Sequence, residues 1–196
     1  MGPDAEVILP RAMTEADRAA LTGLIASRAT FQSADRFTIT APPSAEGPDS
    51  GERLYFEISI SKASGDEDAT ETTVDFRRWF QDEFGFEPVQ GVVFFAARSG
   101  EAYHRVLAEL CLAVAEEFGG IVSFGGALEP RRYDTYSIEA EWSTVAPYSD
   151  AMLAGMPGTL VARPYQTGRD TTWVAHYSDA TFLRAWMNRP LFHMIK

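Results

Sequence analysis

The sequence of 196 residues contains few of the side chains that most often reveal a function, with one cysteine and three histidines. A single thiol cannot form an internal disulfide, and Cys111 lies on an apolar helical stripe, so we expect a buried, inert thiol. The cysteine and the histidines are too widely separated along the chain to give metal-ligand spacing. The sequence therefore predicts no metal site and no bound cofactor.

Two further absences concern membranes and nucleic acids. No apolar run reaches the roughly 18 residues of a transmembrane helix, and the acidic N-terminus lacks the basic start of a signal peptide, so we expect a cytoplasmic protein. Basic residues are scarce, since 17 lysines and arginines stand against 28 acidic residues, a net charge of −11. Binding to nucleic acid or to a membrane surface depends on positive charge, and neither is expected.

The acidic charge is concentrated in one stretch of the chain. Residues 46–87 contain twelve acidic and four basic side chains, which is eight of the eleven net negative charges. Such a surface favours fast association with a basic protein partner. It also fits a surface that serves only to keep the protein in solution, and composition does not decide between the two.

Hydrophobic periodicity predicts an α+β fold. The predicted helices cover residues 14–28, 74–84, 99–118 and 180–188. The predicted strands cover residues 7–9, 36–41, 53–62, 89–98, 121–124, 133–142, 158–165 and 171–178. Because residues 89–98 are apolar nearly throughout, we expect this strand to be central and buried on both faces.

The order of the predicted elements suggests a topology. Strand, helix, strand, strand, helix and strand follow one another over residues 1–98, as in a ferredoxin-like βαββαβ unit. Residues 99–196 add a long helix, further strands and a C-terminal helix. We therefore predict a single α+β domain over residues 1–196, with a mixed or mostly antiparallel sheet on which the helices pack.

A glycine-rich segment, EFGGIVSFGGAL at residues 117–128, has Gly120 and Gly125 at the G-x-x-x-x-G spacing of a phosphate-binding loop. Glycine and alanine follow Gly125 where that loop has its lysine and hydroxyl, and the segment follows a helix instead of preceding one. The glycines therefore predict a left-handed helix cap, a short strand and a turn, and not a nucleotide site.

Reactive side chains form no recognisable catalytic motif in the sequence, and we do not expect an enzyme. The nucleophile elbow G-x-S-x-G is absent, and Cys111 lies two helical turns from His104, beyond hydrogen-bonding distance. His176 and His193 fit either general bases or structural imidazoles. They define the alternative function, a small-molecule enzyme or ligand-binding domain with a pocket near these two histidines. A third interpretation, a subunit of a larger assembly, predicts an extended apolar patch.

Two strings of residues carry a family resemblance: FGGIVSFGGAL after the long predicted helix, and DATFLRAWMNRPLFHMIK at the C-terminus. They resemble small cytoplasmic proteins of unknown-function families, some of which are immunity proteins of bacterial polymorphic toxin systems. The resemblance implies a protein that neutralises a cognate toxin by stoichiometric binding and occlusion of its active site. It implies no turnover and no cofactor, and it transfers no active-site residue.

The acidic stretch supplies most of the predicted partner-binding residues. An acidic loop suits the basic cleft of a toxin that acts on nucleic acids or nucleotides, by electrostatic steering and substrate mimicry. An irregular segment near the middle of the second half adds an aromatic side chain close to two methionines, a composition typical of protein interfaces. The predicted partner-binding residues are Asp66, Glu67, Asp68, Glu71, Asp82, Glu83 and Tyr148.

Overall fold

The computed structural model describes residues 2–41, 51–62, 71–123, 155–166 and 172–189, together with residues 192 and 194. The strands in this part of the chain are β1 (Asp4–Leu9), β2 (Ala29–Phe31), β3 (Arg36–Thr40), β4 (Arg53–Lys62), β5 (Gln90–Ala96), β6 (Ile121–Ser123), β7 (Leu160–Gln166) and β8 (Thr172–Ser178). The helices are α1 (Glu15–Ala26), α2 (Glu71–Phe84), α3 (Glu101–Phe118) and α4 (Ala180–Trp186). The strand predicted at residues 133–142 lies outside the described residues.

The eight described strands form one sheet in the order β2-β3-β4-β5-β1-β6-β8-β7. Every neighbouring pair is antiparallel, which confirms the α+β class and the predicted kind of sheet. The ferredoxin-like unit predicted for residues 1–98 is wrong. In that unit each helix joins two parallel strands, whereas α2 joins β4 and β5, which are antiparallel neighbours. The short strand β2 adds a further strand between α1 and α2.

Helices α1, α3 and α4 pack on one face of the sheet and enclose the larger hydrophobic core, here called the first core. Leu107 and Leu110 of α3 are buried in it against strand residues such as Val7 and Phe94. The apolar residues that repeat at helical spacing along α3 therefore face the sheet, as the sequence predicted. The burial of Trp186 on α4 confirms the predicted apolar face of the last helix.

The predicted left-handed helix cap after α3 is confirmed at Gly119, while the turn predicted at Gly125 lies outside the described residues. Gly119 caps the helix in the left-handed conformation, with φ of 72°, and its N–H donates to the carbonyl of Ala115 at 2.9 Å. Gly120 lies against β1, where a Cβ atom would approach Val7 Cγ1 to 2.6 Å. The first glycine thus allows the turn, and the second allows the chain to pass close to β1.

Helix α2 packs on the opposite face of the sheet. Successive residues of a strand point to opposite faces, and Ile8 lies between Val7 and Leu9 of β1, which belong to the first core. Ile8 contributes instead to a smaller cluster with Phe76 and Phe80 of α2, here called the second core. The other buried members of the second core are Ile121, Ala175 and Tyr177.

The second core covers only part of the sheet face on which α2 packs. Its strand residues come from β1, β6 and β8. On β5, Phe94 is buried in the first core, but its neighbour Phe95 is 41% exposed on the other face. The prediction that this strand is buried on both faces is therefore wrong for Phe95, because α2 does not extend over it.

Candidate functional site

The single cysteine is inaccessible. Cys111 has no exposed surface, and burial raises the pKa of its thiol well above the ordinary value, since the apolar first core disfavours the thiolate. The thiolate is the reactive form of cysteine. The predicted inert thiol is confirmed.

Ser99 and His104 form a hydroxyl–imidazole pair that the sequence did not reveal. The backbone N–H of Met194 donates to Nδ1 of His104 at 3.0 Å, so Nδ1 is the acceptor and Nε2 carries the ring proton. The 3.2 Å contact between Nε2 and the Ser99 hydroxyl is then a donation from the ring to that oxygen. A general base must accept the hydroxyl proton, so this arrangement does not activate Ser99. It joins Met194, near the end of the sequence, to α3.

Of the two histidines in the alternative function, only His176 lies among the described residues. His176 lies on β8 and is 1% exposed, while His193 lies outside the described residues. A pocket near both histidines stays a prediction. The structure does contain another cleft, and His176 is not among the residues that line it.

This cleft of about 590 Å³ lies along α3. Its other walls are the end of β3, Arg28 just after α1, and Arg184 of α4. Apolar side chains and charged side chains of both signs line it. Arg184 reaches from α4 to form an ion pair with Glu116 of α3. The lining residues are Arg28, Ile39, Thr40, Val106, Glu109, Leu110, Leu112, Ala113, Glu116 and Arg184.

The structure brings two of the predicted partner-binding residues together. Asp82 and Glu83 are both exposed in the last turn of α2, and neither forms an ion pair with a described residue. Glu71 is the first residue of the same helix, but its side chain lies outside the described part. Four further predicted residues, Asp66, Glu67, Asp68 and Tyr148, also lie outside it.

The position of these two acids is electrostatically unfavourable for the helix. The carbonyl end of a helix carries partial negative charge, so acidic side chains in the last turn are destabilising by about 0.3–1 kcal/mol each. The last turn of α2 contains no basic residue that would offset this effect. The exposed pair Asp82–Glu83 therefore stands at a place where helix stability alone does not favour it.

Neither a metal-binding group nor a membrane-spanning helix is found among the described residues. No group of three or more histidine, cysteine, aspartate or glutamate side chains in these ranges is placed to hold a metal ion. Within the same ranges, none of the helices has the length and apolar character needed to cross a membrane.

Comparison with known proteins gives a family but no activity. A family model, described as a family of unknown function (DUF6368), matches residues 1–196. The chain belongs to this family. No curated protein and no solved structure matches it. Family membership thus covers the whole sequence but indicates no function. The surface of the protein and its charges are the remaining evidence for a function.

Proposed function

We propose that the protein is an immunity-type inhibitor, which neutralises a cognate bacterial toxin by stoichiometric binding and occlusion of its active site. The observation that carries the proposal is the exposed pair Asp82–Glu83 in the last turn of α2, without an ion-pair partner among the described residues. The partner is a protein with a basic surface, and the binding involves no turnover and no cofactor.

The proposal explains why the two acids stand at a helix C-terminus. There they oppose the helix dipole, and natural proteins often accept a loss of stability at residues that serve function. A basic partner surface would reverse the sign of the interaction, because its positive charge offsets both the carboxylates and the carbonyl end of α2. The acids would then be unfavourable in the free protein and favourable in the complex.

The test is co-expression with the product of the neighbouring gene, scored by growth rescue and by co-purification. We expect the double variant Asp82→Lys, Glu83→Lys to weaken binding at least tenfold and to reduce its salt dependence, because two attractive charges become repulsive. The same variant should fold at least as stably as the parent, because lysine suits the last turn of a helix. Calorimetric titration and thermal unfolding measure the two effects separately.

A matched control is Glu117→Lys, in the last turn of α3. Glu117 is exposed and also acidic at a helix C-terminus, but α3 packs on the other face of the sheet. This variant should gain helix stability without losing partner binding. Equal loss of binding in both variants would assign the effect to net charge and contradict the proposed surface. A neighbouring product that neither rescues growth nor co-purifies would contradict the immunity function itself.

The cleft along α3 favours a second candidate, a small-molecule enzyme or ligand-binding domain. A lining of apolar and charged side chains suits a small amphipathic ligand, and about 590 Å³ lies within the usual range of ligand pockets. The co-expression experiment separates the candidates. An inhibitor forms a 1:1 complex with the toxin, whereas a ligand-binding domain forms none.

A further inference from the structure

Two aromatic side chains lie exposed on the part of the sheet that α2 leaves uncovered. Tyr55 on β4 is 47% exposed and Phe95 on β5 is 41% exposed, and Val89 is the other large apolar side chain of the described residues with comparable exposure. Glu57 on β4 is the cross-strand partner of Phe95, and Tyr55 is two residues before it on the same strand face. The two rings are therefore diagonal neighbours on one face.

Phe95 also lies between two carboxylates. Its cross-strand partner on β4 is Glu57, and its cross-strand partner on β1 is Asp4. Glu57 is already paired with Arg36 at 3.4 Å. Asp4 forms no ion pair with a described residue, and partial burial raises the pKa of its carboxyl group. The exposed ring thus has directly beside it an acid that has no ion-pair partner in the described part of the chain.

The backbone beneath these side chains is held by hydrogen bonds. The N–H of Ala96 donates to the Pro3 carbonyl at 2.9 Å, and the N–H of Ala97 donates to the Tyr55 carbonyl at 2.9 Å. The Tyr55 N–H in turn donates to the Tyr103 hydroxyl at 3.4 Å. A surface that is fixed before binding loses less conformational entropy when a partner arrives.

The chemistry of the patch selects a cation. The face of an aromatic ring attracts lysine and arginine side chains, and a guanidinium can stack on the ring while it donates to a neighbouring carboxylate. Tyrosine and phenylalanine are also frequent at the centres of protein interfaces. A basic protein surface complements these side chains, whereas a purely apolar surface would leave Asp4 desolvated.

We propose that Tyr55, Phe95 and Asp4 form a docking site for an arginine or lysine side chain of a basic protein partner. The inference rests on the proposed function, because it assigns a second contact to the same partner. Asp4 points to the face that Ile8 and α2 occupy, since the two residues are an even number of positions, four, apart along β1. The patch and the pair Asp82–Glu83 therefore lie on the same side of the sheet.

The direct test uses a hexa-arginine peptide as the probe and amide chemical shifts of the ¹⁵N-labelled protein as the readout. We expect shifts at residues 4, 55, 57 and 95 in addition to those at the end of α2. The variants Phe95→Ser and Asp4→Asn should each weaken binding at these amides by about 2- to 30-fold, the range of a cation–π contact. Val89→Ser, which removes an equally exposed apolar side chain elsewhere, should leave the affinity unchanged.

Two outcomes overturn the inference. One is a peptide that shifts only the amides of α2, or that binds Phe95→Ser and Asp4→Asn as tightly as the parent. The other is a concentration-dependent dimer in sedimentation that Phe95→Ser abolishes, since a second copy of the chain would then be the occupant. If the neighbouring gene product binds and Phe95→Ser binds it equally well, the inference fails and the proposed function stands. If that product does not bind but the peptide maps to the patch, the proposed function fails and the cation site stands.

Discussion

The two faces of the sheet are built differently. The first is covered by α1, α3 and α4, and its core is largely aliphatic around Leu107 and Leu110. Among the described residues, the second carries one helix, α2, whose Phe76, Phe80 and neighbouring aromatic rings cover only the strands near β1. A sheet with three helices packed on one face can be stable while the other face stays available for partners. We therefore expect stability to depend mainly on the first face, and we propose that recognition uses the second.

The largest expected effect comes from truncating one buried side chain in each core. Leu107→Ala and Phe80→Ala each remove a side chain with no exposed surface, one from each core. Losses in the free energy of unfolding of about 2–5 kcal/mol are typical of such leucine changes, and about 3–5 kcal/mol of phenylalanine changes. We expect Leu107→Ala to lower the stability of the whole sheet, and Phe80→Ala to release mainly α2.

Hydrogen exchange distinguishes a global loss from a local one. In Leu107→Ala the protection of β1 and β5 should fall together with that of α3. In Phe80→Ala the amides of α2 should exchange much faster, while those of α3 keep most of their protection. Equal loss of protection on both faces in Phe80→Ala would mean that the second core is as essential to the fold as the first.

The difference between the faces also shows which parts of the fold the sequence reveals. The long helix α3 and strand β4 were predictable because many residues repeat one pattern. The three residues of β2 contain too little pattern to identify a strand. The position of α2 was not predictable, because its apolar stripe fits either face of a sheet. That choice decides whether Phe95 is buried or exposed.

The candidate site could be predicted from the sequence only in part, for similar reasons. Charge alone indicated Asp82 and Glu83, since acidic residues of a helix end are visible in the sequence. The patch at Tyr55 and Phe95 depends on strand register and on what α2 leaves uncovered, and neither is a local property. The contact between His104 and Met194 joins residues 90 positions apart, and no short motif records it.

A smaller effect should distinguish two arginines of the described residues that lie over aromatic rings, Arg163 and Arg105. The Arg163 guanidinium lies 5.0 Å from the Phe76 ring centroid and 4.7 Å from that of Trp79, on the second face. Arg105 lies 5.8 Å from the Phe192 ring. Because cation–π contacts contribute about 0.5–2 kcal/mol, we expect Arg163→Met to destabilise more than Arg105→Met. Urea unfolding measures both, and the reverse order would show that the rings of α2 need no cation beside them.

The smallest expected effect concerns the start of α1, on the first face. Asp17 and Thr14 form the predicted capping box: the Thr14 N–H donates to the Asp17 carboxylate at 2.8 Å, and the Asp17 N–H donates to the Thr14 hydroxyl at 3.2 Å. Arg11 donates to both oxygens of the same carboxylate, through Nη1 at 2.5 Å and through Nη2 at 3.0 Å. The hydrogen bond from Arg11, followed by those from Thr14, holds the pKa of Asp17 well below its ordinary value.

The depressed pKa fixes the sign of a pH effect. An aspartate with a lower pKa in the folded state stabilises the protein fully above its unfolded pKa of about 4, and loses this contribution as the pH falls further. Asp17→Asn should therefore lower the Tm at pH 7, and the difference from the parent should shrink between pH 4 and pH 2. Glu15→Gln removes an acid from the same helical turn but leaves the bonds of Asp17 intact. An equal and equally pH-dependent loss in that control would assign the effect to the helix dipole and not to the capping box.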